Sequence, residues 1–281
     1  MDQDFLMEEF EKVTVEMGKK LKNPTLAQRA TYPISYPTTF LPLDFANGIR
    51  SKITELNKDI TYIYDSIGIG EGSINMFVGK TGSGKTTLCE QIAASVTGRF
   101  KYAHIIHDDL ENGSSLSRIS TLTGWDSRRL YKNYILKQDG ITSKVFYDRI
   151  KKYCELKLKA IIEHPEIYTY FTGTFDVLGK PVFKPIPTVW IMDSLALLAP
   201  DEMSDEEKVT GNMTGSQTAK VNAQIFKRIA QPIKSANIIL LIVNHLNANI
   251  KISMFDNKGS QINYLGQDEV IPGLVTLPVS F

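Results

Sequence analysis

Cysteine is scarce in this sequence, which contains two, Cys89 and Cys154, in 281 residues. Two cysteines at this spacing supply neither a disulfide framework nor the ligand pattern of a zinc site. The first four residues, MDQD, are acidic where a secretory signal would be basic, and no apolar stretch is long enough to cross a bilayer. We therefore expect a reducing, cytoplasmic location and no association with a membrane.

An excess of charge of either sign is also missing, since 32 Lys and Arg residues balance 31 Asp and Glu residues for a net charge of +1. A strongly basic surface is the usual sign of a protein that binds nucleic acid over a broad area. Contacts with nucleic acid would therefore have to come from local loops. The hydrophobic content of 42% is typical of a globular protein, and the length allows one large domain or two small ones.

The most informative stretch is a glycine-rich loop, Gly79-Lys80-Thr81-Gly82-Ser83-Gly84-Lys85-Thr86, which fits the P-loop pattern G-x-x-x-x-G-K-[ST] at every fixed position. Residues 73–78 before it predict a short buried strand, and residues 87–96 after it have helical spacing. In this context backbone N–H groups and the helix dipole attract the phosphates of ATP. We expect the whole loop and Thr87 to contact the nucleotide, with Lys85 on the β- and γ-phosphates as a catalytic group and the Thr86 hydroxyl on Mg²⁺.

Acidic residues follow the next predicted strand, residues 102–106, in the run His107-Asp108-Asp109-Leu110-Glu111. An open α/β sheet places its chemistry at the carboxyl ends of its strands. A carboxylate there can orient the water that attacks a γ-phosphate. We expect at least one of the three acids to be catalytic, although each of them taken alone is as well explained as a solvated loop residue.

Two further apolar strands end in polar residues, one at Asp193 and one at Asn244-His245. A buried parallel strand that delivers one carboxylate is the Walker B pattern, so Asp193 is predicted to serve the Mg²⁺ ion. His245 either senses the γ-phosphate or is a hydrogen-bonded histidine at a strand end, and both interpretations stay open. Apolar strands that alternate with amphipathic helices predict an α/β fold with a central, mostly parallel sheet flanked by helices.

The rest of the chain is predicted from periodicity and turn residues. Helices are expected at 4–22, 114–123, 126–139, 143–163 and 216–235, a β-hairpin at 168–185, and loops or extended linkers at 23–42, 201–215 and 246–273. Residues 49–64 predict a polar helix or a loop. We divide the chain into 1–34, a helix and linker that pack on their own domain or on a neighbouring subunit, and 35–281, an ATPase core with a hairpin insertion near 165–187.

The order of these motifs resembles the RecA superfamily, and within it the phage-type recombinases. The resemblance is carried by four stretches: Leu43-Asp44, Asp109-Leu110-Glu111, Met192 to Pro200, and Val243-Asn244-His245. It covers residues 35–125 and 186–280, whereas 140–185 has no counterpart. It implies a RecA-like P-loop core that uses ATP and Mg²⁺ as a DNA-dependent ATPase, binds single-stranded DNA and self-associates into a filament or ring. It also implies a bacterial host, with a phage-encoded gene as one possible origin.

The resemblance implies roles for individual residues. Glu111 takes the place of the family's catalytic glutamate, but the shorter spacing of bacterial members would select Asp109 instead. Asp193 would hold Mg²⁺ through water. Arg118 lies near the position that stacks on adenine.

The loops at 201–215 and 246–272 correspond to the two DNA-binding loops of the family. The first is rich in acids, which repel phosphates. The second has amide, cationic and aromatic side chains that suit phosphates and bases: Asn247, Lys251, Phe255, Lys258 and Tyr264. The leading hypothesis is an ATP-dependent recombinase that forms a filament on single-stranded DNA and exchanges strands. The alternatives are a ring-forming DNA helicase or motor ATPase, and a nucleotide-gated scaffold that does not bind DNA.

Overall fold

The computed structural model describes residues 33–55, 60–199, 214–248 and 268–270, together with Lys12, Val13 and Glu16, which are helical. Most of the helix predicted at 4–22, the linker up to residue 32, the loop at 201–213 and residues 249–267 of the second loop lie outside the described residues. Within the part that is described, no helix is both long and apolar enough to cross a membrane.

The described strands and helices follow one another along the chain in this order. The first half contains β1 (Ser35–Tyr36), α1 (Leu41–Ala46), β2 (Ile49–Thr54), β3 (Thr61–Ser66), β4 (Ile69–Gly70), β5 (Ile74–Gly79), α2 (Lys85–Gly98), β6 (Ile105–Asp109), α3 (Leu116–Thr123), α4 (Ser127–Asn133) and β7 (Tyr134–Lys137). The second half contains α5 (Ser143–Glu163), α6 (Pro165–Tyr168), β8 (Thr169–Phe175), β9 (Pro181–Pro185), β10 (Thr188–Asp193), a 3₁₀ turn (Leu195–Leu197), α7 (Thr214–Ala236), β11 (Ile238–Ala248) and β12 (Asp268–Val270).

Five parallel strands form the central sheet in the order β5-β11-β10-β6-β7. β10 is completely buried, as are the first six residues of β11, which explains why both are continuous apolar runs rather than alternating ones. β12 pairs antiparallel with the end of β11. The predicted α/β fold with a parallel sheet flanked by helices is confirmed at this level.

The sheet has a hydrophobic core on each face. One core packs α5 and α7 against alternate strand residues such as Trp190, and the other packs α2 and α3 against residues such as Ile191. The helices begin where short polar side chains cap them: Ser115, Asp126 and Thr142 each accept the backbone N–H three residues further on. These starts place α3, α4 and α5 as the sequence predicts.

Three local predictions are wrong. Where a polar helix or loop was predicted at 49–64, Ile49–Thr54 pairs antiparallel with the strand that begins at Thr61, β2 with β3. The alternating exposed and half-buried residues of β3, Tyr62 and Tyr64 among them, fit a strand. The helix predicted over 126–139 ends at Asn133, and residues 134–137 add β7 to the sheet edge. The linker predicted to reach residue 42 already contains β1 and the start of α1.

Parts of the predicted loop at 246–273 are strand, since β11 continues to Ala248 and pairs there with β12. The predicted hairpin is present as β8 and β9, which pair antiparallel between Thr169 and Pro185. Its turn is closed by Asp176, whose side chain accepts the backbone N–H groups of Leu178 and Lys180.

Candidate functional site

The glycine-rich loop joins β5 to α2 at the carboxyl edge of the sheet. Gly82 and Gly84 have φ angles of +76° and +82°, in the region that glycine adopts without a steric penalty. A Cβ on Gly79 would lie 2.8 Å from Ser83 Oγ, so any larger residue at this point would displace the Ser83 side chain. The first N–H groups of α2 have no acceptor within the helix, and together with the helix dipole they favour an anion in the loop.

Lys85 and Thr86 open α2 and face different partners. Lys85 Nζ donates a hydrogen bond to the Lys80 carbonyl oxygen at 2.9 Å, which folds the side chain back over the loop. Thr86 Oγ1 donates to Asp193 Oδ2 at 2.5 Å. The two residues predicted to serve one Mg²⁺ ion, 107 positions apart in the sequence, are therefore in direct contact.

Asp193 ends β10 and is 1% exposed. Its Oδ1 atom is buried and has no hydrogen-bond partner, and the peptide bond that follows it is cis. Burial raises the pKa of this carboxyl, the neighbouring carboxylates of Glu111 and Asp109 raise it further, and the hydrogen bond from Thr86 acts in the opposite direction. A cation next to Oδ1 would supply the missing partner and favour the ionised form.

Glu111 lies just past β6 and is joined to the P-loop through His245. His245 Nε2 hydrogen-bonds Glu111 Oε1, and its Nδ1 lies 3.5 Å from Thr81 Oγ1. Burial by itself would raise the pKa of Glu111, but the hydrogen bond from His245 and the positive charge of Lys85 hold it below its ordinary value. An ionised carboxylate thus lies beside the loop, where a general base would be needed.

Asp109 is used to fold the loop that carries Glu111. Its carboxylate accepts the N–H groups of Gly113 at 3.2 Å and Ser114 at 2.9 Å, and the side-chain amide of Gln138 at 3.1 Å. Burial opposes ionisation, but these donors hold the pKa of Asp109 below its ordinary value. The structure therefore gives Asp109 a role in holding the turn that aims Glu111.

Asp108 points to the opposite face of the sheet, because alternate residues of a strand face opposite sides. It pairs with Arg149 and accepts a hydrogen bond from Trp190 Nε1 at 2.9 Å. Burial raises the pKa of Asp108 in spite of these partners. Of the three acids expected here, Glu111 is the one that contacts a residue next to the P-loop.

Arg118 forms an ion pair with Glu90 of α2, with Nε 2.6 Å from Oε2 and Nη2 2.9 Å from Oε1. Glu90 also accepts a hydrogen bond from Ser114 Oγ at 3.1 Å. The role of Arg118 over an adenine base stays a prediction. Glu90 is completely buried, which the sequence hides, because a glutamate in a helix is usually solvated and its partner is 28 residues away.

Sequence reasoning also missed a buried histidine and two polar side chains at the same edge. His107 is completely buried beneath α2, and Ser194 and Asn244 each keep a buried oxygen without a partner. Each of the three is next to a predicted strand end, and this position was the one feature of the sequence that could have placed them near the site. Nothing in the local sequence distinguished them from packed residues.

The predicted DNA contacts are largely outside the described residues. Asn247 lies in β11 and pairs with Glu269 of β12, and its side chain is not described. Lys251, Phe255, Lys258 and Tyr264 belong to the undescribed part of the second loop. Lys80 and Thr87 lie on the exposed side of the P-loop and the first turn of α2.

Comparison with known proteins adds no family. No protein-family model matches the sequence, and no curated protein matches it significantly.

Proposed function

We propose that the protein is an ATP-dependent DNA recombinase of the RecA type, which forms a filament on single-stranded DNA and exchanges strands. One observation carries the ATPase part of this proposal. At the carboxyl edge of five parallel strands, two carboxylates meet the P-loop. Thr86 bonds one oxygen of the buried Asp193 carboxylate, whose other oxygen has no partner, and Thr81 contacts His245, which bonds the ionised carboxylate of Glu111.

Each residue then has a task. The P-loop amides and Lys85 would bind the phosphates, and Arg118, fixed by Glu90, would cover the base. Thr86 and Asp193 would hold Mg²⁺, which supplies neutralising charge on the β- and γ-oxygens. Glu111 would orient the attacking water, with His245 between this base and the loop.

His245 also supports a link between nucleotide and DNA. It lies on β11, which continues for three residues to Ala248 before entering the second loop. A change in the contact between His245 and Glu111 would be transmitted along one rigid strand. The DNA-binding part of the proposal rests on the residue types of that loop and on the resemblance, and it needs its own test.

Nucleotide turnover tests the first part. The wild-type chain is expected to hydrolyse ATP with Mg²⁺, and Lys85→Ala is expected to lose nucleotide binding or turnover. Lys101→Ala, at an exposed lysine on the loop after α2, is the matched control. Equal turnover in the Lys85→Ala variant would remove the nucleotide site from this loop.

Electron microscopy with a non-hydrolysable ATP analogue and single-stranded DNA tests the second part. Helical filaments are expected. Closed rings would replace the recombinase by the ring-forming helicase or motor ATPase, and dispersed monomers that turn over ATP without DNA would favour the nucleotide-gated scaffold.

The second loop is tested by DNA affinity. Lys251→Ala/Lys258→Ala and Phe255→Ala are each expected to weaken binding of single-stranded DNA in the presence of the analogue, because they remove phosphate contacts and a stacking ring. Unchanged affinity in both variants, with turnover intact, would leave the recombinase proposal without its binding surface.

A further inference from the structure

A second polar site lies deeper than the P-loop, beneath α2. His107, Asp109 and Asp193 each offer one ligand atom, the three atoms lie within 4.8 Å of one another, and all three residues are buried. Strand pairing places them together: Asp109 is opposite Asp193 in the register of β6 with β10, and His107 is two residues before Asp109 on the same face.

Two buried atoms in this cluster lack any partner, His107 Nε2 and Asp193 Oδ1. Both belong to residues that are at most 1% exposed. Buried polar atoms without a partner are rare, and an ion or water that completes them is the usual explanation. Asp109 keeps a free lone pair as well, because its Oδ1 accepts only the N–H of Gly113.

The hydrogen bonds around His107 determine which ring nitrogen is free. Ser114 Oγ donates its single proton to Glu90 at 3.1 Å, since a carboxylate only accepts. His107 Nδ1 lies 3.2 Å from Ser114 Oγ and 3.2 Å from the Tyr134 hydroxyl oxygen, so two hydroxyl groups engage this nitrogen. Nε2, which is buried and has no hydrogen-bond partner, is therefore the ring nitrogen left to coordinate an ion.

A metal-binding histidine usually has its second nitrogen fixed by a hydrogen bond to a carboxylate, a backbone carbonyl or water, and here hydroxyl groups take that place. One imidazole nitrogen with two carboxylate oxygens suits Mn²⁺, Fe²⁺, Co²⁺ or Zn²⁺ better than Mg²⁺, which prefers oxygen alone. Metal–ligand distances of about 2.2 Å put ligands on opposite sides of an ion about 4.4 Å apart. The three atoms now lie within 4.8 Å of one another, so a small contraction of the cluster would bring all three into bonding distance of one ion.

We propose that His107 Nε2, Asp109 and Asp193 Oδ1 bind one divalent first-row transition-metal ion beneath the P-loop helix. The ion neutralises two buried carboxylates and joins the end of β6 to the end of β10. The ion would share Asp193 with the proposed nucleotide-bound Mg²⁺, and it would use the oxygen that does not contact Thr86.

The test uses the full-length chain without nucleotide, and Mn²⁺ as the probe. Electron paramagnetic resonance with electron-spin-echo detection is expected to show one Mn²⁺ per chain with coupling to an imidazole ¹⁴N nucleus. The sequence has four histidines, His104, His107, His164 and His245, so four single His→Gln variants assign the signal completely. Only His107→Gln should lose it, with affinity for Mn²⁺ falling at least 100-fold.

His104→Gln is the closest control, because His104 precedes the same strand and is hydrogen-bonded to Tyr153 away from any carboxylate. If His107→Gln does not fold, the wild-type spectrum and the other three variants still decide. Absence of ¹⁴N coupling in the wild-type chain, loss of the signal in His245→Gln, or Mn²⁺ binding only with nucleotide would each overturn the proposal.

Discussion

The two ends of the central sheet both contain buried polar side chains, but these side chains differ in how fully they are hydrogen-bonded. At the amino end Lys157 Nζ donates to Ile186 O and Thr188 Oγ1, each at 2.8 Å. Asn237 donates to the Tyr36 hydroxyl at 2.7 Å and to Pro185 O at 2.6 Å. At the carboxyl end, four atoms have no partner: His107 Nε2, Asp193 Oδ1, Ser194 Oγ and Asn244 Oδ1.

The same strands, β10 and β11, contribute to both ends, so the contrast does not come from the fold class. A buried polar group costs free energy unless it is hydrogen-bonded. Lys157 and Asn237 at the amino end avoid this cost and contribute stability. The four atoms at the carboxyl end keep it. A ligand-free protein retains such a cost at a site where a bound ligand would supply the missing partners. We therefore assign binding to the carboxyl end and stability to the amino end.

The contrast is tested most strongly at Glu111. Glu111→Gln removes the proposed general base while it keeps the side-chain shape, so turnover is expected to fall by about 100-fold or more with nucleotide binding retained. Asp109→Asn should cost less turnover and more thermal stability, because Asp109 holds the turn. Steady-state ATPase assays and thermal unfolding of both variants measure this. The reverse order of activity loss would make Asp109 the base and contradict our assignment.

At the amino end, Asn237 is expected to affect stability alone. It has φ of +49°, so Asn237→Ala combines backbone strain with three lost side-chain hydrogen bonds, to Tyr36, Pro185 and Gly72, and should destabilise by roughly 3 kcal/mol. Asn237→Gly keeps the backbone conformation and should recover about 1 kcal/mol of that loss. Urea unfolding measures both. ATP turnover at a temperature where the variants are folded should be unchanged. A loss of turnover in a folded variant would contradict the assignment of the amino end to stability alone.

A matched pair of hydroxyl deletions on β10 and its end compares the two ends directly. Thr188→Val removes a hydroxyl that binds Lys157 at 2.8 Å and Tyr153 at 3.0 Å, and should cost about 1–2 kcal/mol. Ser194→Ala removes a hydroxyl that makes no hydrogen bond of normal geometry, although it lies near enough to Glu111 to help lower the pKa of that carboxyl, and should change stability by less than about 0.5 kcal/mol. Equal destabilisation by the two variants would show that the carboxyl end is as tightly bonded as the amino end.

The smallest effect is a pH dependence that comes from Lys157. Burial lowers the pKa of its ammonium group to about 7, against about 10.4 in an unfolded chain. Between pH 7 and 8 the unfolded chain therefore holds a proton that the native protein has largely released, so stability rises with pH by up to about 1 kcal/mol per unit.

Lys157→Met should abolish that rise, as measured by urea unfolding at pH 7.0, 7.5 and 8.0. The thiols of Cys89 and Cys154 do not interfere below pH 8, because burial raises the pKa of both and the thiols of the unfolded chain are still mostly protonated. An unchanged slope in the variant would mean that Lys157 is charged in the native protein.

The sequence indicated the site more fully than it indicated the fold around it. The P-loop, Asp193, Glu111 and His245 were visible because each follows a recognisable apolar strand. β2 and β3 were not visible, because a polar, half-exposed hairpin alternates too weakly to be distinguished from a loop. β7 was not visible either, since four residues are too few to show a period.

The sequence by itself determined the P-loop conformation, the helix caps and the apolar strands, because these depend on neighbouring residues and on local steric limits. Only the tertiary structure showed how the surroundings of the acids of residues 108–111 differ. Strand alternation turned Asp108 toward Arg149, loop amides occupied Asp109, and Glu111 alone remained beside His245. The same holds for His107 and Asp193, which are 86 residues apart in the sequence: a side chain's partners are set by which strands pair, and pairing depends on the burial of the whole sheet.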